Sequence, residues 1–291
     1  MKKIFLALIA IATFVACNKD NGGSEEGVSA KHPKKIISTS PYLRVERIFE
    51  LYDDARPKKE SYTHYQADTV SYSSVTEYEY DGKRPVKKRY GDYEDSYFYN
   101  NGKLEREVSK SKYNSTPSTT EYQYDGNGRL IKKLSHYRQG YDEEVNYQYI
   151  EGNKIIASTE KVIVNIGEEK KYYSSRTYTL DANGNVVKEE YKLGNYDIVV
   201  AYEYDNKINP LFSPTFRDLY PDYFTTGVSR NNIIKQTKTE TNPKEPNKVS
   251  KVTFRTVYEY NGDYPVRDTH YSVPNEENKP EEKLSVTEYI Y

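Results

Sequence analysis

Along this chain, pairs of tyrosines separated by one residue are each followed by a turn signal and then by an aliphatic side chain. The clearest copies are Tyr78-Glu79-Tyr80-Asp81-Gly82 with Val86, Tyr97-Phe98-Tyr99-Asn100-Asn101-Gly102 with Leu104, and Tyr122-Gln123-Tyr124-Asp125-Gly126 with Leu130. The series continues at Tyr147-Gln148-Tyr149 with Ile155, Tyr178-Thr179-Leu180 with Val186, Tyr202-Glu203-Tyr204, and Tyr258-Glu259-Tyr260 with Val266. A degenerate copy opens it at Tyr52-Asp53-Asp54-Ala55-Arg56-Pro57, and a half-copy, Tyr289-Ile290-Tyr291, closes it. Successive side chains of a strand point to opposite faces. Thr120, Tyr122 and Tyr124 therefore share one face while Glu121 and Gln123 share the other. Asp-Gly and Asn-Gly supply the positive φ that hairpin turns need. Each copy reads as a β-hairpin with a tyrosine face, and no stretch sustains a helical period.

Hairpins repeated at this spacing predict an all-β antiparallel meander of about 15–18 strands, and beyond about 10 strands a sheet curls, splits or closes. The expected fold is a barrel or half-barrel. The face opposite the tyrosines carries Glu, Gln, Thr and Lys, whereas a membrane-spanning barrel needs an outward apolar band about 25 Å tall. The barrel is therefore read as soluble, a single repeat-built domain over 34–291. An irregular aromatic insertion interrupts it at 208–232. That insertion holds Leu211, Phe212, Phe216, Leu219, Tyr220, Tyr223 and Phe224, with Pro214 and Pro221 breaking any strand. So apolar a segment is expected to plug the barrel or cover a sheet face. Its sharper reading is a binding lid, with Tyr220, Tyr223 and Phe224 as the ligand-binding residues.

Composition changes the picture in two ways. Beyond residue 16, Leu, Ile, Val and Phe are too few for an ordinary core, but the 33 tyrosines of the chain make up the deficit if they share a face. The 43 basic and 44 acidic side chains nearly balance, which argues against a nucleic-acid partner. The N-terminus is an address. Lys2 and Lys3 precede an apolar run from Ile4 to Val15, followed by Ala16 and the single cysteine of the chain, Cys17. This reads as a signal peptide over 1–16 and, by resemblance to a bacterial lipobox, as lipidation at Cys17. Residues 17–33 form a polar tether. With Cys17 lipidated, disulfides and thiolate sites are excluded from the folded part. The membrane is then contacted through the N-terminal lipid only. The acidic residues early in the tether resemble surface-export signals of Bacteroidetes lipoproteins, so the outer-membrane cell surface is expected rather than the periplasmic face.

The tyrosine hairpins resemble the YD repeats of Rhs-type and teneurin-type proteins. Together with the lipobox, the chain resembles a family of Bacteroidetes lipoproteins of unknown function with a porin-like fold. Asn209-Pro210-Leu211 and Ser229-Arg230-Asn231-Asn232-Ile233 are similar to segments of that family. The resemblance implies a fold and no activity.

Chemistry-bearing motifs are sparse. Asp125-Gly126-Asn127-Gly128 and Asp181-Ala182-Asn183-Gly184 look like the start of calcium loops, but the twelfth position, where an EF-hand needs Glu, holds His136 and Lys192. They read as turns. His32, His64, His136 and His270 lack metal-ligand spacing, so no metal site is expected. Neither a cofactor motif nor a catalytic motif is present. Asp68-Thr69-Val70 resembles a short O-glycosylation motif of exported Bacteroidetes proteins and marks Thr69 as a modification candidate. The functional expectation is a non-enzymatic envelope lipoprotein that binds a glycan or protein ligand. The alternatives are a polymer-degrading hydrolase with convergent carboxylates and a purely structural envelope protein.

Overall fold

A computed structural model of the chain describes residues 31–291, apart from 166–167, 213–219, 226–227 and 277–278. The signal peptide, Cys17, Pro214, Phe216 and Leu219 lie outside the described residues. Eighteen strands follow one another: β1 (Lys35–Thr39), β2 (Arg44–Leu51), β3 (Pro57–Gln66), β4 (Thr69–Asp81), β5 (Arg84–Tyr90) and β6 (Tyr93–Asn100). Then come β7 (Lys103–Ser111), β8 (Asn114–Tyr124), β9 (Leu130–Tyr137), β10 (Tyr141–Ile150), β11 (Lys154–Asn165) and β12 (Glu168–Leu180). The series ends with β13 (Val186–Leu193), β14 (Tyr196–Ile208), β15 (Asn231–Asn242), β16 (Glu245–Asn261), β17 (Tyr264–Val273) and β18 (Glu282–Ile290). Each strand pairs antiparallel with its neighbours in sequence. The ring closes where β1 pairs with β18, Lys35 opposite Ile290 and Thr39 opposite Val286, while its other edge pairs with β2. The fold is an all-β antiparallel meander closed into a barrel, which leaves no full-length open edge.

The tyrosine face points inward. Tyr97, Tyr122, Tyr147 and Tyr178, the first tyrosines of four copies, are buried in one cluster with Leu104, Leu130 and Ile155. Alternate positions form the outer wall, where cross-strand ion pairs recur: Arg89 with Glu79 and Glu94, Lys132 with Glu144, Lys235 with Glu203. A wall charged along its strands is not one that faces lipid tails.

The second tyrosine of each copy ties neighbouring hairpins together. Tyr80 donates to the Pro57 carbonyl (2.8 Å), Tyr99 to Pro85 (2.8 Å), Tyr124 to Leu104 (2.7 Å) and Tyr149 to Leu130 (3.0 Å). Tyr204 does the same to Val186 and Tyr291 to Pro265. In every case the acceptor is the first or second residue of the return strand of the preceding hairpin. The basic residue just before that acceptor lies over the same ring: Arg56 over Tyr80, Arg84 over Tyr99, Lys103 over Tyr124 and Arg129 over Tyr149. One ring thus accepts a cation on its face and donates from its hydroxyl, so consecutive turns are stitched along one rim. Arg56 reaches on to the Gly82 carbonyl, and Lys103 to that of Gly128 at 2.6 Å.

Pairing slips by one residue just before the second tyrosine, between Glu79 and Tyr80, Phe98 and Tyr99, Gln123 and Tyr124, and Glu259 and Tyr260. Such bulges bend the strand and raise its twist, which closure requires. They also correct the sequence reading in two copies. The aliphatic residue after the turn was expected to be Val86 and Val266. The two-residue turns instead set Pro85 opposite Tyr80 and Pro265 opposite Tyr260, the slip leaves Val86 and Val266 as the unpaired bulge residues, and both prolines are almost fully buried. Proline lacks an N–H and is tolerated at the start of a strand.

Two measurements test this construction. Tyr124→Phe and Tyr149→Phe each remove one hydroxyl-to-carbonyl bond and should cost about 1 kcal/mol in denaturant unfolding. Tyr113→Phe, on an exposed turn, should change stability by less than about 0.5 kcal/mol; equal losses at all three would refute the stitching. The second is alkaline. Burial pushes Tyr80, Tyr149, Tyr178, Tyr202 and Tyr220 up to about 12, against about 10 in an unfolded chain. Stability is complete below pH 10 and lost as pH rises toward 12, because the unfolded chain gives up these protons first. Loss of strand circular dichroism should accompany the appearance of the tyrosinate band. Full tyrosine ionisation in an intact barrel would contradict it.

Candidate functional site

A closed ring of 18 strands has a lumen wider than its own side chains can fill. Residues 220–225, between β14 and β15, fill one end of it. A one-turn 3₁₀ segment, Tyr223–Thr225, places Phe224 inside the barrel, 5% exposed. Its ring meets Tyr147 (5.7 Å) and Tyr178 (5.3 Å) edge-on. Asp222 beside it accepts from Lys133 (2.9 Å) and from the Tyr147 hydroxyl (3.2 Å), so a buried carboxylate is both paired and hydrogen-bonded. Tyr220 lies close enough to Glu107, Asp95 and Asp222 to feel their charge, and its own hydroxyl is pushed up by burial and then by them.

The base of this plug is held by amides. Asn185, 1% exposed at the β12–β13 turn, accepts from the backbone N–H of Arg230 (2.8 Å) and donates to the Asn231 side chain (2.9 Å). Asn232 is 2% exposed and gives its amide to Asp205, Ile208 and Tyr260. Asp181 Oδ1 caps the same turn through the N–H groups of Asn183 and Asn185, and Asp125 does so in its own turn with Asn127 and Arg129. Both calcium-like segments are thus side-chain-capped turns.

Facing the first tyrosine of five copies across the hairpin stands a charged residue in register: Lys88 opposite Tyr78, Glu107 opposite Tyr97, Lys133 opposite Tyr122, Glu189 opposite Tyr178, Asp268 opposite Tyr258. These form an ionisable belt inside the barrel. Burial raises the carboxyls of Asp95, Glu107 and Asp268 above the usual range, with Asp95 adding to the effect at Glu107.

Beside the plug, against β12–β15, a chamber of about 210 Å³ remains. Tyr178, Tyr202, Tyr204, Tyr223 and Phe224 give it aromatic walls; Arg176 and Glu189 give it one ion pair. Arg176 Nη1 donates to Glu189 Oε1 at 2.5 Å, and the Tyr202 hydroxyl donates to Oε2 at 3.3 Å. Glu189 is the only carboxylate among the lining residues, so the chamber lacks the pair that acid/base glycoside cleavage uses. A second depression, about 380 Å³, lies at the seam of β1, β17 and β18, lined by Thr39, Pro41, Arg267 and Lys283 among others and by no aromatic residue. It is larger, but only the chamber has convergent polar groups within apolar walls.

The opposite end of the lumen is open. Tyr72 and Tyr172 share the inward register yet are 58% and 53% exposed. Among the described residues, every large apolar side chain more than half exposed lies at this rim: Tyr42, Val70, Tyr72, Tyr113, Tyr172, Tyr173, Leu193 and Val249.

Of the residues singled out in the sequence, Tyr223 and Phe224 come together at the chamber, while Tyr220 stands by Asp95 and Glu107. Thr69 is exposed, directly after the tight β3–β4 turn where Ala67 and Asp68 have positive φ. The histidines stay apart: His32 packs on Phe49, His64 meets Ser71, His136 meets Asp142 and His270 meets Thr256. Among the described residues no group of three or more His, Cys, Asp or Glu is placed to hold a metal. Glu143 and Glu144, adjacent in sequence, face opposite sides of β10, and Glu144 pairs outward with Lys132. Sequence reasoning missed Arg176 and Glu189. Their signal was charge on the tyrosine face: two residues before the first tyrosine most copies carry Thr or Val, and only Asp95 and Arg176 are charged there.

The geometry defines a closed 18-stranded antiparallel barrel with an internal plug. No protein-family profile matches the chain, and no curated protein matches it. Among solved structures it is similar to a porin-like protein from Bacteroides uniformis (TM-score 0.45, 12% identity, 88% of this chain and 95% of that one). It is similar also to a porin-like protein from Bacteroides vulgatus (TM-score 0.45, 13% identity, 89% and 98%).

Phe224→Ala should lower stability by about 3–5 kcal/mol, the range for a buried aromatic removed from a core. Chemical denaturation followed by circular dichroism measures it. A loss below 1 kcal/mol would mean that the plug does not brace the wall.

Proposed function

We propose that the protein is a lipid-tethered envelope barrel that binds a ligand inside its half-filled lumen without transforming it. The observation that carries this reading is the asymmetry of the lumen: plugged at one end, open at the other, with an aromatic chamber holding one satisfied ion pair between them. The chain enters the barrel at the plugged rim. His32 packs edge-on against Phe49 and Pro33 is almost fully buried there, just before β1. A lipid on Cys17 would therefore hold the plugged rim toward the membrane and turn the open mouth away from it. On this reading the outer-membrane cell surface is the site of action, with glycan or protein as the ligand and Tyr223 and Phe224 among its contacts. The exposed apolar ring at the mouth supports an interaction there, since such patches mark contact surfaces.

Two outcomes are expected. Cys17→Ser should abolish incorporation of labelled fatty acid and release the protein from the membrane fraction; retained label would refute anchoring. On intact cells, an antibody against the mouth turns around Tyr113 and Leu193 should bind without permeabilisation, and binding only after permeabilisation would place the protein on the periplasmic face.

A further inference from the structure

The chamber wall restricts the class of ligand. Its volume, about 210 Å³, is below the roughly 300–1,000 Å³ of pockets that take drug-sized molecules, so it holds about one ring. Aromatic faces surround that ring: Tyr178, Tyr202, Tyr204 and Tyr223 all line the space. A purely apolar occupant would strip water from the Arg176–Glu189 pair and return no hydrogen bonds, which is costly. An anion meets Glu189, and a cation, which the tyrosine rings alone would favour, meets Arg176. Charge therefore cancels within the wall, while donors and acceptors remain. Arg176 stays 43% exposed and Glu189 only 12% by side chain, so the polar pair lies at the boundary between the chamber and the open lumen.

We propose that this chamber binds the terminal residue of a neutral oligosaccharide, its C–H face packed on the tyrosines and its hydroxyl edge bridging Arg176 and Glu189, with the rest of the chain running out through the open mouth. A pyranose ring combines the two properties the wall asks for: an apolar face and a rim of groups that both donate and accept. The proposal deepens the ligand-binding reading above and rests on it.

The test uses the full-length protein in detergent micelles and four probes: a panel of neutral hexose- and N-acetylhexosamine-ended oligosaccharides, the same chains ended in a uronic acid, choline, and a mixed peptide library. Binding is followed by calorimetry and by saturation-transfer NMR. At least one neutral glycan should bind, with transfer strongest at its terminal ring. Glu189→Gln keeps the shape of the wall but leaves Arg176 uncompensated. It should weaken the neutral glycan at least about tenfold, the scale of a charged hydrogen bond lost, and improve the uronic acid relative to it. Tyr223→Ala should weaken binding by a similar factor; if that variant melts early, the isosteric Glu189→Gln decides alone. Binding of choline, the uronic acid or a peptide, sensitive to Glu189→Gln, with no neutral glycan bound, would overturn the sugar assignment and leave the binding reading standing. A neutral glycan that binds equally well to both variants would remove it from this chamber. Failure of all four probes would overturn both readings.

Discussion

Everything in this barrel depends on a tyrosine used twice. The second tyrosine of a repeat donates its hydroxyl to a carbonyl at the start of the previous return strand, and receives the preceding Arg or Lys on its ring. Ladder hydrogen bonds alone fix neighbouring strands, but they do not fix the bend between one hairpin and the next. The stitch does, because it reaches from one hairpin to the rim of its neighbour. The exceptions follow the same logic. Leu180 stands where a second tyrosine would be and has no hydroxyl to give; there the backbone N–H of Leu180 bonds to Asn153 instead. Tyr260 follows the long insertion, and its hydroxyl goes to Asp205 beside the amide latch. The stitch is thus replaced only where a tyrosine is missing or where the plug enters.

Closure then creates its own difficulty. A ring this wide turns eighteen inward faces toward a space that tyrosines alone leave open, and unfilled apolar surface is unfavourable. The insertion answers it at one end by burying Phe224 and Asp222, and the latch of Asn185, Asn231 and Asn232 holds both of its roots. A buried amide network is strongly directional, since each unpaired member carries a desolvation penalty. It fixes where the plug begins, and this in turn decides which part of the lumen remains as a chamber.

Much of this was legible in the sequence because it is local. Period-two alternation, Asp-Gly and Asn-Gly turns, and an aromatic, proline-broken interruption are each read within a dozen residues. The meander and the tyrosine face follow from them directly. Closure was less legible: β1 is only five residues long, and its pairing with β18 joins Lys35 to Ile290 across almost the whole chain. The stitch was half legible. The tyrosines were plain, but nothing local marks Arg56, Arg84, Lys103 and Arg129, since their partner ring belongs to the next repeat. In the first full copy Val86 is the skipped residue of a bulge, and Pro85, set opposite Tyr80 by the turn, is buried in its place. Arg176 and Glu189 are 13 residues apart and meet only through the register that sets Tyr178 opposite Glu189.

The inward charges separate structure from function within one lumen. Glu107 and Asp95 lie where burial raises their carboxyls, so ionising them works against folding rather than for it. Lys133 and Asp222 satisfy each other beneath Phe224 and serve the plug. Arg176 and Glu189 differ from both groups. They are paired, but the pair borders empty space, and aromatic rings that pack on the plug elsewhere here face a void. If a charge pair only braced the wall, replacing it with apolar side chains would serve stability equally well. Its place at the edge of an aromatic chamber, rather than inside the packed plug, is the feature on which the ligand proposal rests.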